Sequence, residues 1–211
     1  MPCTILITGF GPFPGAPFNP TRALVKVLAK VSDAQAGVRR VAHVFETSYQ
    51  TVDRDLPALI ARERPAALIM FGLAQGTNHL RIETLAHNTL ARTIPDVTGR
   101  RPTADAIVSG GPTTLALPGP APRLLAAART AGAMTALSRD AGSYLCNYLC
   151  WRASERAAMA GGPRLATFVH VPLVRPLLTP SPGAVPRTLG DLIMAGEAIL
   201  AAAIAAVRVR R

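Results

Sequence analysis

The chain has 211 residues, 49% hydrophobic and 17% charged, a balance typical of a folded protein with a sizeable core and not of a disordered chain. Its formal net charge is +11, and its 23 basic residues include only two lysines. The arginines are scattered or occur in short pairs such as Arg39-Arg40, without a basic helix or interleaved aromatic residues. This pattern argues against nucleic-acid binding, an alternative that rests on net charge alone.

The amino-terminal stretch MPCTILITGF lacks the basic segment and the small-residue cleavage site of a signal peptide. Three cysteines, an odd number, predict free thiols and a reducing, cytoplasmic location. The most apolar stretch, residues 198–207, is too short to span a bilayer and predicts a packed, Ala-rich terminal helix. We therefore expect a cytoplasmic protein without a membrane partner.

Apolar runs typical of strands alternate with helical patterns along the first part of the chain. The predicted elements are a buried strand CTILITGF, a Gly/Pro loop to residue 18, a helix NPTRALVKVLAKV, a strand RVAHVFETS, a helix TVDRDLPALIARER and an apolar strand PAALIMFGLA. In the first helix, Asn19 is the predicted N-cap and Pro20 takes the first helical position. Pro57 weakens the middle of the second helix.

The region from Gly76 to Pro120 holds many turn formers and few clear helices, which indicates functional loops or short strands. A strand MTALSRD, a helix over about residues 144–160, a strand LATFVHVPL, a Pro-rich loop to Pro186 and a last helix follow. We predict a single α/β domain over residues 1–211 with a largely parallel sheet. Its active site should lie at the carboxyl ends of the strands.

Two cysteines lie one helical turn apart in DAGSYLCNYLCWRASERA. Cys146 falls in the first turn of the predicted helix, where the helix dipole and free amides should lower the thiol pKa, so it is the candidate nucleophile. Cys150 lies one turn further in and is expected to pack in the core. A zinc site would need two more ligands, and no close Cys or His pair supplies them, so no metal site is expected.

A thiol nucleophile needs an imidazole base and a group that orients the base. His170 ends a strong apolar strand and precedes Pro172, which favours it over the strand residue His43. His79 and His87 lie in the polar connection. From the residues alone, a histidine on an apolar strand such as His170 is more often a satisfied core residue than a catalytic base.

Four blocks occur in order between Gly9 and Pro172: GFGPFPGAPFNP, GLAQGTNHLRIETLAHN, AGSYLCN and FVHVP. In these blocks the sequence resembles pyroglutamyl peptidase I (pyrrolidone-carboxylate peptidase), a family of cysteine exopeptidases that remove amino-terminal pyroglutamate. The resemblance implies a three-layer αβα fold around a mixed, mostly parallel sheet, and a cytoplasmic enzyme that forms homo-oligomers, often tetramers. It implies no cofactor, and peptides with amino-terminal pyroglutamate as substrates.

The resemblance also assigns roles to residues. Cys146 is then the nucleophile that forms a thioacyl enzyme, His170 the general base, and Glu83 the residue that orients the imidazole. The implied substrate-binding residues are Phe10, Phe13, Asn19, Ile94 and Leu145.

The sequence departs from the family pattern around these residues. Leu73 stands where the family has a glutamine, and three family arginines are replaced by Thr77, Thr84 and Thr93. Gln75 and Arg92 are the nearby candidates to replace the missing groups. The departures leave two alternatives, a same-fold cysteine hydrolase with altered acyl-group specificity and a non-catalytic ligand-binding relative.

Overall fold

The structure is a computed structural model that describes residues 3–13, 15–31 and 37–209. Strands and helices alternate through most of it. The strands are β1 (Cys3–Phe10), β2 (Val38–Phe45), β3 (Ala67–Leu73), β4 (Leu80–Glu83), β5 (Leu85–His87), β6 (Thr114–Ala116), β7 (Thr135–Ser138) and β8 (Leu165–Val171). The helices are α1 (Pro20–Lys30), α2 (Tyr49–Glu63), α3 (Ala121–Thr130), α4 (Leu145–Ala158) and α5 (Leu189–Val209).

Six strands form one sheet in the order β2-β1-β3-β8-β4-β7. All neighbours in this sheet are parallel except β4 and β8, which run antiparallel. The short strands β5 and β6 form a separate antiparallel pair. The predicted mixed, mostly parallel sheet is confirmed, and the antiparallel contact between β4 and β8 becomes important at the candidate site.

Helices cover both faces of the sheet, as the three-layer prediction requires. The β1 and β3 residues are buried throughout, because each face of these central strands packs against a helical layer. One core cluster joins α1, α3 and α5 to one face of the sheet, and a second joins α2 and α4 to the other. The second cluster contains the start of α4, and with it the region around Cys146.

The carboxyl-terminal helix α5 is part of the first core cluster. It contacts α1 and α3, and a Cβ at Gly196 would lie 2.9 Å from Leu28 Cδ1, so the glycine permits a close approach of α5 to α1. Helix α5 has 21 residues, and an 18-residue window of it has a mean hydropathy of 2.0. By length and composition alone, such a helix could cross a membrane. Its buried face packs it here as a core helix.

Local sequence signals predict most of these elements. Asn19 caps α1 by accepting a hydrogen bond from Thr21 N, and Pro20 is its first residue, as predicted. Helix α2 continues through Pro57. The region from Gly76 to Pro120 contains three short strands. The sequence does not predict helix α3, because the proline- and glycine-rich residues 118–122, which overlap its first two residues, are typical of a loop.

The carboxylate of Asp191 ties the Pro-rich loop to the start of α5. Its oxygens accept hydrogen bonds from Ser181 N (2.6 Å), Ser181 Oγ (2.7 Å), Arg187 N (2.7 Å) and Thr188 N (2.9 Å). Burial opposes ionisation of this group, but the hydrogen bonds outweigh burial and lower the pKa of Asp191 to about 2. The ionised carboxylate therefore stabilises the folded chain.

We predict that Asp191→Asn lowers the free energy of unfolding at pH 7 by about 2 kcal/mol, since charge-assisted hydrogen bonds are lost. The folded-state pKa is depressed, so the contribution is present above the unfolded-state pKa near 4 and disappears as pH falls towards 2. Urea unfolding of both proteins at pH 7 and at pH 3 measures this difference. A constant difference between wild type and variant at the two pH values would contradict the assignment.

Candidate active site

A cavity of about 170 Å³ lies where β1, β3 and β8 reach their carboxyl ends and α4 begins. This is the edge of the sheet at which the sequence predicts an active site. The lining residues are Phe10, Phe13, Asn19, Thr47, Leu73, Ala141, Gly142, Ser143, Tyr144, Leu145, Cys146 and His170. Six of the eight site residues predicted from the sequence therefore line this cavity.

The two cysteines of α4 have different environments. Cys146 is the second residue of the helix, is partly exposed and lines the cavity. Cys150 is fully buried in the core cluster beneath the helix and is not among the cavity residues. This arrangement supports Cys146 as the thiol that meets a ligand.

The expected lowering of the Cys146 pKa is wrong for this structure. Burial of the sulfur raises the pKa of Cys146 to about 12, and the nearby negative charge of Glu83 also raises it, whereas Arg81 acts in the opposite direction. Burial outweighs the field of the helix start that motivated the prediction. The resting group is a neutral thiol, so attack on a substrate requires removal of its proton.

His170 and Glu83 meet because β4 and β8 pair antiparallel. In this register Arg81 lies opposite His170 and Glu83 opposite Phe168. Residues two apart on a strand share a face, so all four side chains project towards α4. His170 Nδ1 lies 2.7 Å from Glu83 Oε1, and the two residues are 4% and 1% exposed.

The short contact between imidazole and carboxylate determines which ring nitrogen carries the proton. A carboxylate accepts and does not donate, so Nδ1–H of His170 donates to Glu83 Oε1. The lone pair is then on Nε2, the other ring nitrogen. His170 also lines the cavity beside Cys146, so the ring is held as a base requires.

The loop after β1 forms the aromatic side of the cavity. Phe10 is 3% exposed and packs on Phe45, with ring centroids 5.9 Å apart, while the Phe13 ring lies 6.4 Å from the Tyr144 ring. Asn19 Nδ2 donates to Gly11 O at 3.1 Å, which fixes the loop to the start of α1. Asn19 therefore combines a capping role with a place on the cavity wall.

Ile94 is not among the cavity residues, and 47% of it is exposed. Gln75 and Arg92, the two candidate replacements for missing family residues, are also not among the cavity residues. Gln75 Nε2 donates to Gly15 O at 2.9 Å, and Arg92 Nη1 donates to Asp105 Oδ1 at 3.2 Å. Within this structure, neither side chain provides a polar group to the cavity.

Several residues of the site were not identified from the sequence. Leu73, noted only as a departure, lines the cavity together with Thr47 and Tyr144. The buried Asn147 side chain accepts from His87 N and donates to His87 O, both at 2.8 Å, and so joins the first turn of α4 to β5. These contacts are between segments distant in sequence, so no local pattern reveals them.

A search of residues 3–13, 15–31 and 37–209 finds no group of three or more His, Cys, Asp or Glu side chains that could hold a metal ion. Around the cavity the reactive groups are a thiol, an imidazole and a carboxylate. Such a set can perform nucleophilic catalysis, with the thiol as nucleophile, the imidazole as general base and the carboxylate orienting the imidazole.

Comparison with known sequences supports this chemistry. The model of the family described as pyroglutamyl peptidase matches residues 3–209. The chain belongs to this family. The pyrrolidone-carboxylate peptidase of Pyrococcus furiosus is 33% identical over 172 residues, which cover 81% of each chain. Pyrrolidone-carboxylate peptidase 1 of Ralstonia nicotianae is 32% identical over 195 residues, covering 92% of this chain and 88% of its own.

Solved structures of family members share the fold. A pyrrolidone carboxyl peptidase from Thermococcus litoralis superposes with a TM-score of 0.86 at 25% identity, covering 99% of this chain and 96% of its own. A mutant pyrrolidone carboxyl peptidase from Pyrococcus furiosus gives 0.85 at 26% identity, covering 97% and 99%. The three-layer fold is that of the family.

Gly72 on β3 leaves the space that the Cys146 sulfur occupies. A Cβ at this position would overlap Phe168 Cζ and would lie 2.8 Å from Cys146 Sγ. Only a residue without a side chain lets β3, β8 and the start of α4 come this close.

We predict that Gly72→Ala lowers the free energy of unfolding by about 1–3 kcal/mol, because the added methyl group overpacks the site. It should also displace Cys146 and reduce its rate of alkylation by iodoacetamide. Gly76→Ala is the matched control, since a Cβ there meets nothing within 4 Å. Thermal unfolding and alkylation rates that are equal in the two variants would show that the close contact is unimportant.

Proposed function

We propose that this chain is a cysteine exopeptidase that hydrolyses the bond after an amino-terminal pyroglutamyl residue of a peptide. Family membership supports this activity, and the observation that carries the assignment of residues is the Cys146 thiol in one cavity with a Glu83-bound His170. In this proposal Cys146 is the nucleophile, His170 the general base, and Glu83 the residue that orients the imidazole.

In the acylation step, Cys146 Sγ attacks the carbonyl carbon of the pyroglutamyl residue while His170 Nε2 takes the thiol proton. The raised pKa of Cys146 makes this coupled transfer necessary, because the resting thiol is not ionised. The resulting imidazolium remains bound to Glu83 and then protonates the departing amine. The peptide bond breaks, and the pyroglutamyl group is left as a thioester on Cys146.

The start of α4 supplies donors for the oxyanion of the tetrahedral intermediate. Leu145, Cys146 and Asn147 are the first three residues of the helix, where backbone amides lack intrahelical acceptors. Such amides, together with the helix dipole, stabilise negative charge that develops beside the nucleophile.

Hydrolysis of the thioester reverses the proton transfers. His170 Nε2 removes a proton from a water molecule, and the oxygen attacks the thioester carbonyl. The carbon–sulfur bond breaks, Cys146 regains its proton from the imidazolium, and pyroglutamate leaves. The step uses the Cys146 sulfur, the His170 imidazole held by Glu83 and one water molecule.

The cavity wall favours a neutral ring over a charged amino terminus. Phe10, Phe13, Leu73 and Leu145 give it an apolar lining, and Asn19 and Thr47 contribute polar side chains. An ammonium group placed there without a partner costs several kcal/mol in order of magnitude. A pyroglutamyl lactam carries no such charge.

Leu73 is the observation that favours the second candidate, a cysteine hydrolase with altered acyl-group specificity. Its side chain lines the cavity but cannot form hydrogen bonds to the lactam carbonyl or N–H. Discrimination that depends on such bonds is therefore weaker than in a site built with an amide there. We expect a pyroglutamyl substrate to be preferred, with a KM higher than is typical of the family.

Two further features remain proposals based on the family resemblance. We infer that the protein acts in the cytoplasm and that it forms a homo-oligomer, with the tetramer as the form that the resemblance implies. We propose that Ile94 contacts the peptide outside the cavity lining, because its side chain is exposed and is not among the lining residues.

We predict that the purified chain hydrolyses pyroglutamyl-coumarin at least about a hundredfold more efficiently than prolyl-coumarin or glutamyl-coumarin, because the apolar cavity excludes charge. The measurement is kcat/KM for the three compounds. Cys146→Ala should lower the rate more than about a thousandfold, since removal of a nucleophile abolishes the covalent route.

Cys150→Ala is the matched control, because it removes a thiol from the same helix but not from the cavity. It should retain most of the activity. Equal turnover of the prolyl or glutamyl compound would favour the altered-specificity hydrolase. Binding of pyroglutamate without turnover of any compound would favour the non-catalytic relative.

A further inference from the structure

Arg81 lies within the second family block, but the resemblance assigns it no role. It lies on β4 directly opposite His170, two residues before Glu83 and on the same face of the strand. Its Nη2 lies 3.2 Å from His170 Nδ1, and its Nε lies 3.3 Å from Glu83 Oε1. The guanidinium therefore contacts both members of the imidazole–carboxylate pair.

The contact between Arg81 and His170 is electrostatic and is not a hydrogen bond to the ring. His170 Nδ1 already carries the proton that it donates to Glu83, so it has no lone pair for the guanidinium. Nη2 instead donates to Asp140 O at 3.4 Å, which anchors the arginine to the loop before α4. A positive charge thus faces an imidazole that becomes positive during the reaction.

Glu83 explains why a cation is placed there. Its side chain is 0% exposed, and Oε2 has no hydrogen-bond partner. A buried carboxylate with a neutral imidazole as its partner would leave one net negative charge in the site, which is costly without a counter-ion. Arg81, with 29% of its side chain exposed, supplies that charge from the edge of the site.

We propose that Arg81 is a positioning residue: it neutralises the buried Glu83 carboxylate and holds a positive charge against the His170 imidazole, in the site that also contains the Cys146 thiol. The proposal rests on the proposed function for its link to catalysis. The charge effects themselves follow from the contacts and hold for any substrate of this site.

The titratable and charged groups that face His170 come from three segments. Strand β3 contributes none, because its residues are all apolar or glycine. Arg81 and Glu83 from β4 contact the imidazole, and Tyr144 and Cys146, at the N-cap and in the first turn of α4, line the same cavity. Arg139 and Asp140 lie in the loop before α4, where Asp140 O accepts a hydrogen bond from Arg81 Nη2. Arg139 and Asp140 are exposed to solvent, so their charges are screened more than that of Arg81.

The test replaces Arg81 by glutamine and by lysine and measures two pH profiles. Arg81→Gln should move the acidic limb of kcat/KM for pyroglutamyl-coumarin to higher pH by about one unit, because the cation that contacts the imidazole is lost. Alkylation of Cys146 by iodoacetamide at pH 7, followed by peptide mass mapping, should slow about tenfold, because less thiolate forms. Arg81→Lys keeps the charge and should leave both profiles near those of the wild type.

Arg54→Gln is the matched control, since this exposed arginine pairs with Asp55 on the surface of α2. It should change neither profile. If Arg81→Gln only lowers the melting temperature and leaves both profiles in place, the arginine is merely structural and the proposal is wrong. If no coumarin substrate is hydrolysed by the wild type but the alkylation rate shifts as expected, the proposed function fails and the role of Arg81 stands.

Discussion

The antiparallel pairing of β4 with β8 inside an otherwise parallel sheet is the constraint on which the site depends. It places a buried carboxylate next to an imidazole on the face covered by α4. An ionised carboxylate in such a place must be hydrogen-bonded and compensated by positive charge. The hydrogen bond from His170, the guanidinium of Arg81 and the orientation of the ring all follow from that requirement.

The same constraint determines the environment of Cys146, the proposed nucleophile. Packing of α4 on the sheet brings the Cys146 sulfur so close to β3 that only glycine fits at position 72. This burial keeps the thiol neutral in the resting protein. In the proposed mechanism the reactive state is created when His170 takes the proton, and the Glu83 carboxylate stabilises the cation that forms. The packing of α4 on the sheet therefore both buries the thiol and places it in the same cavity as the imidazole that is proposed to take its proton.

The sequence predicts those features that depend on local patterns. Asn19 and Pro20 mark the start of α1, apolar runs mark the strands, and a small-residue turn places Cys146 in the first turn of α4. The three-layer fold and the family were also recognised from sequence blocks, and the comparisons confirm both. These successes rest on capping, periodicity and motif order, all of which are properties of short segments.

What the sequence did not predict depends on contacts between distant segments. Strand order, the direction of β4 relative to β8 and the place of Arg81 opposite His170 arise only when the sheet assembles. The alternation in Arg81-Ile82-Glu83 does indicate a shared face for the two charges, but not what they face. The thiol pKa was predicted in the wrong direction because the helix start was visible in the sequence and the burial was not.

The central claim is that Cys146 forms the covalent intermediate in this cavity. The most direct measurement is acid quenching during turnover of a pyroglutamyl ester, followed by peptide mass mapping of the protein. The account predicts a single pyroglutamyl group on the peptide that contains Cys146, and its absence in Cys146→Ala. Hydrolysis with the acyl group on Cys150 or Cys3, or a pyroglutamyl adduct that persists in Cys146→Ala, would contradict it.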